Sequence, residues 1–401
     1  MSIQRKIIEF FGLKRSIVGL LVMVVFVGLG EKMAERFLPV YLLALGASTL
    51  IPGLLNGLDV LLSALYSFPG GWISTKYGYK KALIIFNCIA LFGYGIVIAV
   101  PSWTAVIIGS VFFLSWTALS LPATMDLVSA VLPKNKRTMG VSVHSLVRRI
   151  PMAVGPIFGG VLIDQFGITV GVRLAFGTAA VLGIVSLFLQ QYLIEDRPIQ
   201  ITETLSAKQV FKKMPSSLYT LLLCDILVRF CEQIPYAYIA IWAMQVGASV
   251  SGFEFGVLTA IEMIVALLIY IPVAYLADKG SKKPFIVITF FNFAIFPIVL
   301  LYSKSFSLLV IAFILRGLKE FGEPTRKALI MDLAPDKLKA ATFGTYYLIR
   351  DIVVSVAAFA SAFLWQISPD VTFLTAAFFG FAGMLIFAFF GKDAPHNDKA
   401  I

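Results

Sequence analysis

Stretches of twenty or so apolar residues recur along this chain with only short polar breaks between them, and that pattern leaves little choice of fold. A hydrocarbon core ~30 Å thick takes ~20 residues of α-helix to cross, and inside it every backbone N–H and C=O has to be satisfied by the protein itself. The chain divides into spans at 17–44, 49–74, 82–100, 103–131, 139–163, 170–193, 216–244, 252–277, 284–302, 307–331, 340–366 and 370–390. With 59% hydrophobic and 14% charged residues in 401, and a mean hydropathy of +0.91, too little polar sequence remains to clothe a soluble domain. The expected fold class is an all-α, multi-pass integral membrane protein of twelve transmembrane helices, with the lipid bilayer as its first partner.

A formal net charge of +11 would suit a nucleic-acid partner if the basic residues formed one patch. They alternate instead. With the N-terminus in the cytoplasm, loops on that side carry Arg5, Lys6, Lys14 and Arg15, then Lys76, Lys80 and Lys81, then Lys134, Lys136 and Arg137, and so on to Lys392 and Lys399. The opposite loops hold Arg173 and Lys304. This bias places both termini in the cytoplasm and gives the charge an explanation without nucleic acid. The opening MSIQRKIIEFFGLKRS runs into the first span with no small-residue cleavage site, so it reads as retained. Cys88, Cys224 and Cys231 fall within spans and read as buried small hydrophobes, since Cys224 and Cys231 lack a zinc spacing. No nucleophile elbow, phosphate loop or zinc pattern occurs, so enzyme chemistry, a cofactor and a metal site are not expected.

A shift of about 202 residues superimposes the two halves. Gly70 to Leu83 falls on Val273 to Ile286, Pro122 on Pro324, Pro133 on Pro335, Arg148 on Arg350, Asp59 on Glu262, and Gly46-Ala-Ser48 on Gly247-Ala-Ser249. Six spans separate the copies, an even number, so both insert with the same orientation. Parallel six-helix repeats are one of the transporter architectures. The expected domains are a six-helix bundle at 1–194, a cytoplasmic linker at 195–215 with an amphipathic stretch KQVFKKM, and a second bundle at 216–401.

At these residues the chain resembles the major facilitator superfamily, over essentially its whole length, and its bacterial drug/proton antiporter-type members in particular. The superfamily's loop signature G-x-L-A-D-R-x-G-R-K is matched between spans two and three by Gly71, Ile73, Ser74, Lys76, Gly78, Lys80 and Lys81, with Thr75 in place of the aspartate. Its second copy keeps Asp278, Lys279, Lys282 and Lys283. The resemblance implies a gate that locks the outward-facing state, in which Asp126 would pair with Lys76 or Lys80. In span five, VGPIFGG resembles the G-P-x-x-G-G core of the antiporter motif, with Gly155, Pro156, Gly159 and Gly160; small residues so spaced let another helix approach closely. The arginine-glycine motif of span four is absent, and a comparable pattern stands in span ten at Arg316, Gly317, Leu318, Lys319, Phe321 and Gly322. The resemblance further implies a small-molecule substrate, alternating access and a bacterial inner (plasma) membrane.

Ionisable residues inside a span cost at least ~2.5 kcal/mol each, so they are candidates for function. Span ten holds six in twelve residues, RGLKEFGEPTRK. Helical spacing puts Asp225, Arg229 and Glu232 on one face of span seven, with Arg229 able to bridge both acids. In span ten it offers Arg316 with Glu320 and Lys319 with Glu323 as internal pairs, and leaves Arg326 and Lys327 toward the cytoplasmic face as gate or anchor. Span one has Glu31 and Glu35 beside Lys32 and Arg36. Asp59 and Glu262 stand at equivalent repeat positions with no cation within one turn of their own helices. Most of these groups lie about nine to sixteen residues from a span end, hence ~13–24 Å deep at ~1.5 Å rise per residue. The belt of Glu31, Glu35, Arg36, Asp59, Asp225, Arg229, Glu232, Glu262, Arg316, Lys319, Glu320 and Glu323 is the expected site for substrate and protons. Arg148 and Arg350 with Asp351 read as gating groups, and His144 as a packing residue. The expected function is a proton-coupled secondary transporter, monomeric, exporting a small amphiphilic or charged organic compound. The same belt leaves open a transporter of a charged metabolite, metal ion or metal-chelate, and, more remotely, a non-transporting receptor.

Overall fold

The computed structural model describes residues 15–114, 116, 118–120, 123–124, 127, 144, 146–194, 207–277, 281–335 and 338–393. Among them all regular structure is helical. In chain order the helices are α1 (Arg15–Glu35), α2 (Leu38–Ala44), α3 (Leu50–Tyr77), α4 (Tyr79–Ala99), α5 (Trp103–Phe113), α6 (Arg149–Leu193), α7 (Ala207–Lys212), α8 (Ser216–Tyr236) and α9 (Ile239–Ile241). A π-helical turn, Trp242–Val246, precedes α10 (Gly252–Ala277), α11 (Lys283–Tyr302), α12 (Phe306–Leu318), α13 (Glu323–Leu333), α14 (Lys339–Ile367) and α15 (Pro369–Phe390).

These helices coincide with the expected spans, with instructive departures. Among the described residues nine helices are long and apolar enough to cross a membrane. The difference from twelve has local causes. Spans five and six run together as α6, bent where Gly167 takes φ 77°, a left-handed conformation that glycine adopts without a Cβ clash. Span seven begins as α8, long enough at 21 residues but carrying Asp225, Arg229 and Glu232, too many charges for an apolar crossing, and beyond Tyr236 it resumes as α9 and the π-helical turn. Span ten is cut into α12 and α13 by a turn over 319–322.

Chain contacts divide the molecule into two units. One comprises 1–55, 61–202 and 250–260; the other comprises 56–60, 203–249 and 261–401. In the first, α1 packs along α6, and small residues set the closeness: a Cβ on Gly30 would fall 2.6 Å from the Ala179 backbone. In the second, α8 and α11 pack on α15 around a core of Leu218, Leu221, Phe290, Tyr346 and Phe387. The amphipathic linker stretch forms α7, whose Val210 joins that core. Phe188, Phe378 and Phe389 are exposed, as side chains facing acyl tails are. Cys224 and Cys231 are buried, whereas Cys88 is exposed, against the expectation for all three.

Spans one and seven break in the same register. Glu35 and Leu38 flank one interruption, Tyr236 and Ile239 the other, each displaced by 201 residues, as are Gly46-Ala-Ser48 and Gly247-Ala-Ser249. The repeat is therefore carried by the backbone as well as by the side chains.

Candidate functional site

The turn over 319–322 replaces the middle of span ten with non-helical backbone, and its freed polar groups need partners. α11 supplies them. Asn292 donates its amide to the Leu318 carbonyl at 3.1 Å, and the Gly322 N–H donates to Thr289 Oγ1 at 2.5 Å. Charges suit the two half-helix dipoles: Arg316 lies in the last turn of α12 and Glu323 in the first turn of α13. Gly317 lets α12 approach α10, since a Cβ there would fall 2.7 Å from the Glu262 carbonyl oxygen. Arg316 is thereby brought to the Glu262 carboxylate at 3.2 Å.

The break also redirects every expected pair in this stretch. Arg316 and Lys319 do not rely on Glu320 and Glu323. Lys319 meets Glu232 at 2.6 Å and Glu262 at 3.8 Å, so Glu262 has two cations from a neighbouring helix where its own helix offered none. Glu323 takes Arg326 at 2.6 Å, Lys327 at 3.2 Å and Arg229 at 3.3 Å. Arg229 also pairs with Glu232 at 2.5 Å and reaches Asp225 only at 3.9 Å. Asp225 is instead the acceptor for Arg326, for Arg350 at 3.4 Å and for the Tyr346 hydroxyl at 3.2 Å. Arg326, read from sequence as a gate or anchor near the cytoplasmic face, is 1% exposed and sits at the centre of this network. Helical periodicity reports neighbours within one helix, whereas Arg326 with Asp225, Lys319 with Glu232 and Arg316 with Glu262 pair across helices.

Aromatic rings line the cations. Arg316 lies 5.6–5.7 Å from the Tyr236, Phe296 and Phe313 rings, Arg229 and Lys319 lie over Phe293, and Arg350 stands 4.1 Å from Tyr347. Faces of π-systems offset part of the desolvation of a buried cation. Arg350 also pairs with Asp351 at 2.7 Å. Asp59 and Glu320 are half-buried.

The first unit is built differently. Lys32 pairs with Glu31 at 3.0 Å and also with Glu35, joining the two acids of span one; the half-buried Arg36 follows on the next turn. Beside this pair lies an open cleft with three helical walls. Val24, Gly28, Glu31 and Lys32 form one; Trp116, Ser120 and Thr124 form the second at i, i+4 and i+8; His144, Arg148, Pro151 and Met152 form the third. The Trp116 indole is fixed by donating to Asn87 Oδ1 at 2.8 Å, and Asn87 in turn donates to Gln190 at 3.1 Å. His144, read as a packing residue, is a wall of this cleft.

Residues 20–249 and, again, 221–401 match the Major Facilitator Superfamily. The chain belongs to that superfamily. It is 21% identical over 357 residues to an uncharacterized MFS-type transporter of Methanocaldococcus jannaschii, covering 86% of this chain and 87% of that one. It is 23% identical over 282 residues to the multi-drug resistance efflux pump PmrA homolog of Lactococcus lactis, covering 68% of each. A solved peptide transporter POT in complex with sulfate shares the fold at TM-score 0.77 and 12% identity, over 94% of this chain and 93% of that one. A bacterial homolog of the human lysosomal transporter Spinster does so at 0.71 and 13%, over 95% and 98%.

This major facilitator transporter carries the superfamily's loop signature in an altered form. Gly78 takes φ 82° to turn the chain between α3 and α4. Thr75, where the signature has its acid, donates to the Gly71 carbonyl at 2.9 Å. Lys76 lies over the Trp72 and Tyr77 rings at 4.6 and 5.1 Å, and Lys80 donates to the Gln191 carbonyl at 3.0 Å. Asp126, the expected partner of those lysines, and Asp278 and Lys279 of the second copy lie outside the described residues. In that second copy Lys282 pairs with Asp332, while Asp393 accepts from the Ser281 hydroxyl and from the Lys282 and Lys283 N–H groups. In the G-P-x-x-G-G segment, a Cβ on Gly155 would meet Lys32 at 2.9 Å and one on Gly159 the Met33 carbonyl at 2.0 Å. On the neighbouring face a Cβ on Gly160 would fall 2.1 Å from the Gly252 carbonyl, and Gly256 approaches the Pro156 carbonyl in the same way.

Proposed function

We propose that this transporter is a proton-coupled exporter of a small amphiphilic or charged organic compound, working by alternating access with both termini in the cytoplasm of a bacterial-type cell. The observation that carries the reading is the buried Glu262 carboxylate, held between Arg316 at 3.2 Å and Lys319 at 3.8 Å beside a broken helix. Protonation of Glu262 would remove the charge that holds both cations, and Lys319 already has Glu232 as a second acceptor. A proton would in this way change which helices are tied together, as coupling requires. Intramembrane acids commonly serve proton relays. The efflux-pump relatives support the export direction.

The test is accumulation of a cationic dye, ethidium, and an anionic one, carboxyfluorescein, in inside-out vesicles under an imposed pH gradient. The wild type should accumulate at least one of them, and Glu262→Gln should abolish the gradient-dependent part. Unchanged accumulation in that variant would remove Glu262 from coupling. No gradient-dependent movement of either dye by the wild type would sink the whole reading.

A further inference from the structure

The two repeats hold the same site in two states. At the displacement of 201 shared by the breaks of spans one and seven, Asp225, Arg229 and Glu232 correspond to Val24, Gly28 and Glu31. At 202, set by the paired prolines and arginines, Arg326, Tyr346 and Arg350 correspond to Thr124, His144 and Arg148. All six first-unit residues line the cleft beside the Lys32 pairs. The second unit fills its version with its own charged side chains, whereas the first has shortened three of them to Val24, Gly28 and Thr124.

The shortening is uneven in charge. In the second unit the Asp225 carboxylate receives Arg326, Arg350 and Tyr346. In the first that carboxylate is gone, yet the arginine remains. Among the described residues no carboxylate lies within ion-pair distance of Arg148, and Lys32 is committed to Glu31 and Glu35. A half-buried guanidinium thus lines an open cleft, with an imidazole one turn away at His144, whose carbonyl accepts from the Arg148 N–H at 3.0 Å.

We propose that this cleft binds an organic anion with a compact apolar body, its acidic group on Arg148 standing where Asp225 stands in the other repeat. Arg148 supplies a planar fork of donors suited to a carboxylate, sulfonate or phosphate. Ser120 and Thr124 add hydroxyls. The Trp116 ring, held by Asn87, and Met152 take the apolar body. As the class of compound carried, this rests on the transport reading above; as a binding site it stands apart from it.

The experiment measures binding of 2-naphthoate, 2-naphthalenesulfonate and the neutral 2-naphthamide to the full-length protein in phosphatidylcholine nanodiscs by calorimetry. At least one anion should bind tenfold or more tightly than the amide. Arg148→Gln should erase that preference, and Arg149→Gln, one position away, should keep it. Val24→Asp installs the missing carboxylate and should weaken anion binding at least tenfold without lowering the melting temperature, which keeps the test decisive if the arginine variant does not fold. Equal binding of anions and amide by the wild type, or a preference that survives both Arg148→Gln and Val24→Asp, would overturn the proposal. Displacement of the bound anion by phosphatidylglycerol nanodiscs would overturn it in favour of a lipid headgroup. Dye accumulation separates the two readings: lost coupling with the anion preference intact overturns transport alone, and intact coupling without the preference overturns this site alone.

Discussion

Arg148 and Arg350 occupy the same place in the two repeats, yet one faces an open cleft and the other is locked into a network of five acids and six cations. The acids are Asp225, Glu232, Glu262, Glu323 and Asp351, and the cations are Arg229, Arg316, Lys319, Arg326, Lys327 and Arg350. A shared backbone thus supports two uses of one location. Filled with ions of its own, it ties helices together; emptied of three long side chains, it leaves an arginine that no carboxylate among the described residues neutralises. A repeat thus keeps where side chains stand, and the local residues decide whether they meet each other.

The comparison breaks most visibly at the acid itself. Asp225→Asn leaves Arg326 buried with reduced compensation, and removing one partner of a buried pair costs ~3–5 kcal/mol. Thermal unfolding in detergent should show a fall of many degrees, and a variant that melts with the wild type would mean that the network contributes little. Arg350→Gln should cost about as much for the same reason. Arg148→Gln, its repeat partner, should stay within ~0.5 kcal/mol, as substitutions that break no ion pair among the described residues do. Equal losses at the two arginines would erase the distinction drawn between the units.

A packing change in the first unit should fall between these. Gly159→Val drives side-chain atoms into the Met33 carbonyl that already lies 2.0 Å from where a Cβ would stand, and overpacking costs ~1–3 kcal/mol. The melting temperature should drop while the ionic network of the second unit is untouched. An unchanged value would show that α1 and α6 yield easily. The smallest effect belongs at the edge. Lys282→Ala removes a pair with the exposed Asp332 and should change stability by ~0.2–1 kcal/mol, less in high salt. A larger loss there would assign this pair a structural weight that the exposure of Asp332 does not suggest.

Much of the framework is legible in the residues. Apolar runs fix the spans because lipid leaves a backbone no other way to be satisfied, and the paired motifs expose the repeat. The ionic site was legible as a list of members and not as a set of bonds. Arg326 illustrates the reason. Counting residues placed it beyond Pro324 near the cytoplasmic face, but Asp225 on α8, a different helix, lies beside it. Glu262 had no cation on its own helix, and the close approach at Gly317 supplies Arg316 from the next one. Gly317 and Asn292 were the signals available: a small residue beside a charge, and an amide deep in an apolar span.

The sequence by itself determined that the chain is a membrane-spanning, all-helical repeat with a surplus of buried ions, since hydropathy and period are properties of one dimension. Which of these ions meet was settled in three dimensions. Pairing depends on helix rotation, crossing and interruption, and these follow from contacts between residues far apart in the chain.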